Sequence, residues 1–438
     1  MLKLSQGAKK ALEILHSSGH EAYIVGGSVR DMIMGLKAND FDITTSATPD
    51  EIKQAFDGYY TVDTGIKHGT ITFVYEKEPI EITTYRVDGE YKDSRHPESV
   101  EFTKNLSNDL SRRDFTMNAL VYNDDEGIID LYGGQKDIEN KVIKAIGDPK
   151  KRFEEDALRI LRGVRFASQL GFEIEENTKK AMIECAPLLH NISSERINVE
   201  ISKFLLGKNI KNALLENYEI IGEIIPEIKQ MHGFDQNNKY HIYDILEHTA
   251  IAIESIEPIL HLRLAMLFHD TGKPKTYSVD EKGQGHFYGH AKVSKEVAEG
   301  FLNQYRYDNA TKEKVLELVK IHDTPIELNK IFIKKRMNRL GKDLFLDLLK
   351  VKRADNLAQN PEYCWLDKLQ RFEEIAKEII EENCFTLSSL SINGNDLITL
   401  GFKGKEIGET LNALLLEVIE EKIPNIKEEL LRRANELK

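Results

Sequence analysis

Strand-like alternation of apolar and polar positions is confined to the first third of the chain, and beyond it apolar residues recur at helical spacing. Ala22-Tyr23-Ile24-Val25 reads as a short buried strand. Thr70 to Tyr75 and Ile80 to Tyr85 read as two more, separated by a turn expected at Glu78-Pro79. In Asn39-Asp40-Phe41-Asp42-Ile43 successive side chains point to opposite faces. Both carboxylates therefore share one face while Phe41 and Ile43 enter the core. From about residue 150 onward nearly every segment has helical periodicity. The expected class is α+β, a mixed sheet with helices followed by an all-α body. The expected domains are a head over 1–135, a helical neck over 136–232, a further helical domain over 233–360 and a helical tail over 361–438. The polar, turn-rich stretch from Gly233 to Tyr240 marks one boundary, and Leu387 to Leu400 opens the last helical unit.

Composition changes this picture only slightly. The net charge of -13 argues against indiscriminate nucleic-acid binding but leaves room for a locally basic groove. One segment is strongly basic: Lys330, Lys334, Lys335, Arg336, Arg339, Lys342, Lys350, Lys352 and Arg353 face only Asp343 and Asp347. A solvated helix face is the default reading, with an RNA backbone contact as the alternative. Cys185, Cys364 and Cys384 are too few and scattered for a disulfide framework or a zinc cluster. No apolar run approaches transmembrane length and the first residues carry no signal-type stretch, so a cytoplasmic location is expected.

The chemistry begins at Gly26-Gly27-Ser28-Val29-Arg30-Asp31, which follows the first strand and precedes the Asp40/Asp42 pair. The glycines let the backbone approach a triphosphate, and Ser28 is expected to cap the helix that follows. Two carboxylates one residue apart repel each other unless a divalent cation lies between them, and hard oxygen donors favour magnesium. A lone Asp-x-Asp would more often be a hairpin facing water; the glycine turn directly upstream tips the balance. This arrangement resembles the DNA polymerase β-like nucleotidyltransferases and, more narrowly, the class II tRNA nucleotidyltransferases, comprising CCA-adding enzymes and their poly(A) polymerase relatives.

Further stretches extend the resemblance. Glu81, flanked by Ile80 and Ile82 pointing the opposite way, is the natural third carboxylate, able to orient the proton of an attacking hydroxyl; an exposed strand Glu would look the same. Arg112 to Leu120 enters a helical pattern and matches the family's second motif, with Arg113 offering a planar cationic fork to phosphate or ribose. Asp156, Arg159, Arg162 and Arg165 recur every three residues with Leu158, Leu161 and Val164 behind them. A carboxylate at Asp156 can accept from the amino group shared by cytosine and adenine, while Arg159 donates to the neighbouring ring nitrogen. Uracil and guanine would leave both groups unpaired, at roughly 1–3 kcal/mol each. The stretch matches the E-D-x-x-R signature that acts as an amino-acid template in the family. There, Gly27, Arg30, Arg113, Arg162 and Arg165 would hold phosphates and ribose. The polar loop Arg86 to Pro97, with Asp88 and Arg95, looks full length; family members that add only the two cytidines have this loop shortened, so the resemblance implies complete CCA addition. Ser193 to Glu200 resembles the last family motif and reads as a capped helix start with a structural role.

A second constellation lies in the helical body. His248, His269-Asp270 and Asp355 form an H…HD…D skeleton that can give nitrogen and oxygen ligands to one cation, and His290 and His322 could serve a second. The pattern resembles the HD phosphohydrolase superfamily, whose members act on phosphoesters through metal-activated water. An active hydrolase and a vestigial scaffold both stay open. The expectation for the whole chain is Mg²⁺-dependent, template-independent addition of CCA to tRNA from CTP and ATP, with a second divalent metal in the HD region and no membrane association. Poly(A), CC-only or A-only addition is the near alternative, and an HD phosphohydrolase with an RNA-docking head the distant one.

Overall fold

The structure, a computed structural model, describes residues 2–38, 40–89, 100–382 and 385–438, without the side chains of Thr64, Lys67 and Asp88. The chain forms two compact units, Met1–Pro226 and Glu227–Lys438.

The first unit contains strands β1 (Ala22–Val25), β2 (Asp42–Thr45), β3 (Thr61–Gly65), β4 (Thr70–Tyr75), β5 (Glu78–Thr84), β6 (Arg86–Asp88), β7 (Val100–Phe102), β8 (Leu120–Asn123) and β9 (Gly127–Asp130). Seven of them make one sheet in the order β3-β4-β5-β2-β1-β8-β9, while β6 and β7 pair separately. Within that sheet only β2 and β5 run parallel, and this pairing sets Asp42 beside Glu81 and Ile43 beside Ile82. Ile82 also faces Ile71 of β4, giving a row of three isoleucines, each fully buried. Phe41 and Ile43 enter the core as their alternation requires.

The β4–β5 turn is not at Glu78-Pro79. Glu76 and Lys77 turn the chain with φ of 50° and 71°, and Glu78 and Pro79 already pair with Tyr75 and Val74. Two consecutive positive φ values match the right-handed twist of a tight hairpin. Pro79 is tolerated because β2 pairs with β5 only from Glu81 onward, so its missing N–H faces no neighbour on that side.

Helices α1 (Gln6–Ser17), α2 (Gly27–Ile33), α3 (Pro49–Ala55), α4 (Leu106–Ser111), α5 (Gly134–Glu139), α6 (Pro149–Glu155), α7 (Leu158–Leu170), α8 (Glu176–Cys185) and α9 (Ser194–Leu205) complete the part that matters for the site. Three local expectations change. Gly26, not Ser28, caps α2, and the Ser28 hydroxyl donates back to the Val25 carbonyl at 3.3 Å. Arg112 to Leu120 is not helical: Arg112 ends α4, Thr116–Asn118 is a single tight turn, and β8 starts at Leu120. The Asp114 carboxylate accepts from the Phe115 amide and the Asn118 amide group, which closes that turn where a helix would have continued. Ser193 does precede α9, but its side chain makes no cap hydrogen bond.

The second unit is almost wholly helical. Its tail packs around buried Leu397, Leu414, Leu415, Ile419 and Leu430. The basic stretch is largely neutralised within this unit: Lys330 and Lys334 pair with Glu382, Lys335 with Glu420, Lys350 with Glu257, and Arg353 with Glu373. Lys352 is buried and donates to the His322 carbonyl. Among the described residues no helix is long and apolar enough to cross a membrane. Residues Glu90 to Pro97 of the expected loop, Arg95 included, and Cys384 lie outside the described residues.

Because Ile82 is packed on both strand neighbours, Ile82→Ala should cost about 2–5 kcal/mol of stability, measured as a lower urea midpoint at unchanged slope.

Candidate active site and a second ligand cluster

A cavity of 590 Å³ in the first unit is lined by Gly26, Gly27, Arg30, Asp40, Asp42, Arg113, Asp156, Arg159, Arg162 and Arg165, among others. Residues read separately along the sequence thus converge on one space. Glu81 is not in the lining but stands beside Asp42 on the adjacent parallel strand.

The carboxylate side comes from the end of the sheet. Asp42 is the first residue of β2, and Asp40 precedes the strand and is exposed. Displacement of bulk water, followed by the neighbouring charge of Glu81, pushes the Asp42 carboxyl up to about 6; Arg113 opposes the shift and Asp40 adds to it. Three crowded carboxylates with hard oxygen donors are the kind of set a divalent cation relieves. The turn beside them needs glycine: Gly26 has φ 80° and ψ -133°, and a Cβ there would sit 3.5 Å from Arg113 Nη1.

The cationic side is anchored by buried acids. Asp109, fully buried, accepts from Arg112, Arg113 and the Thr44 hydroxyl of β2. Asp114 accepts from Arg162 Nε at 2.7 Å, and Asn118 in turn accepts from Arg30 Nη1 at 2.8 Å. Burial alone would raise the Asp114 pKa, but Arg162, Asn118 and the Phe115 amide outweigh it and bring it down to about 2. Arg165 lies 3.2 Å from Glu200 on α9, and Phe166 packs among the guanidiniums of Arg30, Arg162 and Arg165.

Asp156 and Arg159 both reach the cavity, but each is already engaged. Asp156 sits at the α6–α7 junction, accepting from the Leu158 amide at 3.1 Å and from Arg196 at 2.7 Å. Arg159 donates to Glu155 at 2.9 Å and to the carbonyls of Arg152 and Arg112. A carboxylate has about four acceptor sites and a guanidinium five donors, so each keeps capacity for a base. Sequence reading missed Arg196, Asp114, Asn118 and Phe166. Arg196 lay in a stretch read as a helix start, and only the packing of α9 along α7 brings it to Asp156.

The second unit gathers the other predicted ligands. His248 Nε2 lies 3.0 Å from Asp355 and 3.4 Å from Asp270, and His269 Nε2 3.2 Å from Asp270. On the other Asp270 oxygen stand His290 at 3.4 Å and His322 at 3.8 Å. The Nδ1 atoms of all four histidines face backbone carbonyls, those of Ala358, Met266, Phe287 and Val319. Each ring therefore presents Nε2 to the shared centre. Among the described residues two groups can hold a metal ion, His248/His269/Asp270 and Asp270/His290/His322. Burial disfavours charge on Asp270, but His269, Lys273 and His248 hold its pKa well below the usual carboxylate range; burial and the neighbouring imidazoles push His322 down to about 3.

Residues 22–144 match the family model described as the poly A polymerase head domain, 171–231 the "Probable RNA and SrmB- binding site of polymerase A", and 285–434 domain 2 of tRNA nucleotidyltransferases. The class that fold and site define is therefore a nucleotidyltransferase with a poly A polymerase head. Over 432 residues the chain is 33% identical to the CCA-adding enzyme of Bacillus velezensis, covering 98% of each. Over 211 residues it is 51% identical to that of Ligilactobacillus salivarius, covering 48% of this chain and 52% of that protein. The crystal structure of Bacillus stearothermophilus CCA-adding enzyme in complex with CTP superposes with a TM-score of 0.75 at 28% identity, covering 99% of this chain and 97% of that one. The chain belongs to the CCA-adding enzyme family.

Asp114 has a folded pKa of about 2 against 3.8 ordinarily, so its contribution is present above the ordinary value and is lost as pH falls through the folded one. Asp114→Asn should remove about 2 kcal/mol at neutral pH and flatten the acid loss of stability between about pH 4 and 2, read from unfolding midpoints across that range.

Proposed function

We propose that this chain adds C, C and A to the 3′ ends of tRNA from CTP and ATP without a nucleic-acid template, using the first-unit cavity as its active site. The observation that carries the assignment of the site is the meeting of Asp40, Asp42, a glycine turn and the α7 arginines around one space, with Glu81 beside Asp42 on the next strand. Asp40 and Asp42 fit magnesium, which when bound supplies activation of the terminal 3′-hydroxyl and neutralises departing pyrophosphate. Glu81 orients the hydroxyl proton. Gly27 brings backbone against the triphosphate, and Arg30, Arg113, Arg162 and Arg165 hold phosphates and ribose. The buried Arg113 Nε has no hydrogen-bond partner among the described residues, which supports that role. Asp156 accepts from the amino group of cytosine or adenine while Arg159 donates to the ring nitrogen.

The head, neck, HD region and tail are proposed to divide at residues 135, 232 and 360, and the work to be done in the cytoplasm. A second reading concerns the other unit. His248, His269, Asp270 and Asp355, with His290 and His322, are proposed to hold divalent metal for phosphoester hydrolysis. Their Nε2 atoms, aimed at one carboxylate by backbone carbonyls, favour it.

With a tRNA lacking its CCA and all four nucleotides present, sequenced 3′ ends should read CCA; poly(A), CC-only or A-only ends would replace this reading. Asp42→Ala should lower addition by at least ~10³-fold, whereas Asp270→Ala should leave it within about twofold and abolish tight Mn²⁺ binding in calorimetry. Asp156→Ala should narrow the CTP-over-UTP preference by about 10-fold or more, and a wild-type protein that incorporates UTP as readily as CTP would end the base-reading assignment.

A further inference from the structure

Three guanidiniums surround one phenyl ring in the cavity wall. Arg165 lies 4.3 Å from the centroid of Phe166, Arg30 5.0 Å and Arg162 5.6 Å. They arrive from two elements, α2 and α7, and each also has its own acid: Asp31 for Arg30, Asp114 for Arg162, Glu200 for Arg165. Asp114 also reaches Arg30 through Asn118 and, like Glu200, acts on both Arg162 and Arg165, whereas the ring is a neutral group that all three cations contact. Phe166 is itself buried, edge-on to Phe115 at 6.0 Å, which fixes its plane. The cations feel one another: after burial, the like charges of Arg162 and Arg30 help to lower the pKa of Arg165.

A phenyl face carries partial negative charge and attracts guanidinium groups while adding no formal charge. That distinction matters in a site built for an anion. A fourth carboxylate would gather the arginines equally well but would cancel the field meant for phosphate and repel the ligand. We propose that Phe166 is a positioning residue for the nucleotide triphosphate, a neutral hub that holds Arg30, Arg162 and Arg165 together so that their cationic field stays available to phosphate. The proposal rests on the assignment of this cavity to the triphosphate made above and extends it to a residue with no polar atom. Because all nucleotides share the triphosphate, the contribution is the same for CTP and ATP and does not touch base choice.

The test replaces Phe166 by mono-, di- and trifluorinated phenylalanine, which keep the shape of the ring while draining its face of negative charge, alongside Phe166→Leu and Phe166→Tyr. Steady-state addition to tRNA is measured with CTP and with ATP, with thermal unfolding as a check on folding. KM for both nucleotides, and the inhibition constant for pyrophosphate, should rise progressively with fluorination to about fivefold or more, with the CTP-over-UTP preference unchanged and Phe166→Tyr close to wild type. A fluorination series flat in KM, or one that shifts only a single nucleotide, overturns the proposal even if Phe166→Leu fails to fold. Arg162→Ala serves as the reference. If it raises KM while the fluorinated series is flat, only the role of Phe166 is lost. If KM is indifferent to Arg162 as well, the triphosphate assignment falls with it.

Discussion

Parallel pairing of two short strands is the constraint on which the site depends. Once β2 and β5 run side by side in register, Asp42 and Glu81 are neighbours whether or not their charges favour it, and Asp40 two residues earlier adds a third. The isoleucine row across β2, β5 and β4 supplies the apolar burial that holds the strands in that register. Core packing thereby bears the electrostatic cost of crowding these carboxylates.

The opposite wall solves the converse problem with a different device. Seven arginines line the cavity, and buried acids keep several of them in place: Asp109 lies behind the lining, while Asp114 borders the same space. Asp114 links three layers: it shapes its own turn through Phe115 and Asn118, holds Arg162 of α7, and through Asn118 restrains Arg30 of α2. Local turn formation and the arginine-lined wall are in this way one hydrogen-bond network.

Much of this was readable in the chain because the relevant spacings are short. The alternation around Asp40 and Asp42, the glycine turn and the three-residue recurrence from Arg159 to Arg165 each put side chains in relation through local geometry alone, whereas Asp156, expected on the same stripe, stands before the helix in extended backbone. The α+β head and helical body followed from the change in apolar period. What escaped depended on contacts distant in sequence. Arg196 meets Asp156 across 40 residues, and a motif that also reads as an ordinary helix start gave no sign of it. Phe166 escaped as well, because an apolar residue announces no chemistry. The turn at Glu76-Lys77 was missed because proline is a stronger signal than two residues that are seldom found at positive φ.

One feature of the α6–α7 junction has a mechanical meaning. Asp156 has extended backbone angles, φ -143° and ψ 100°, while Arg159 is already inside α7, whose hydrogen bonds fix its backbone. The carboxylate and the guanidinium proposed to read a base are therefore mounted differently, one on an extended junction residue and one on a helix. The gap between them thus depends on the backbone angles of the junction residue, which also set how α6 meets α7, and not on helical pitch alone.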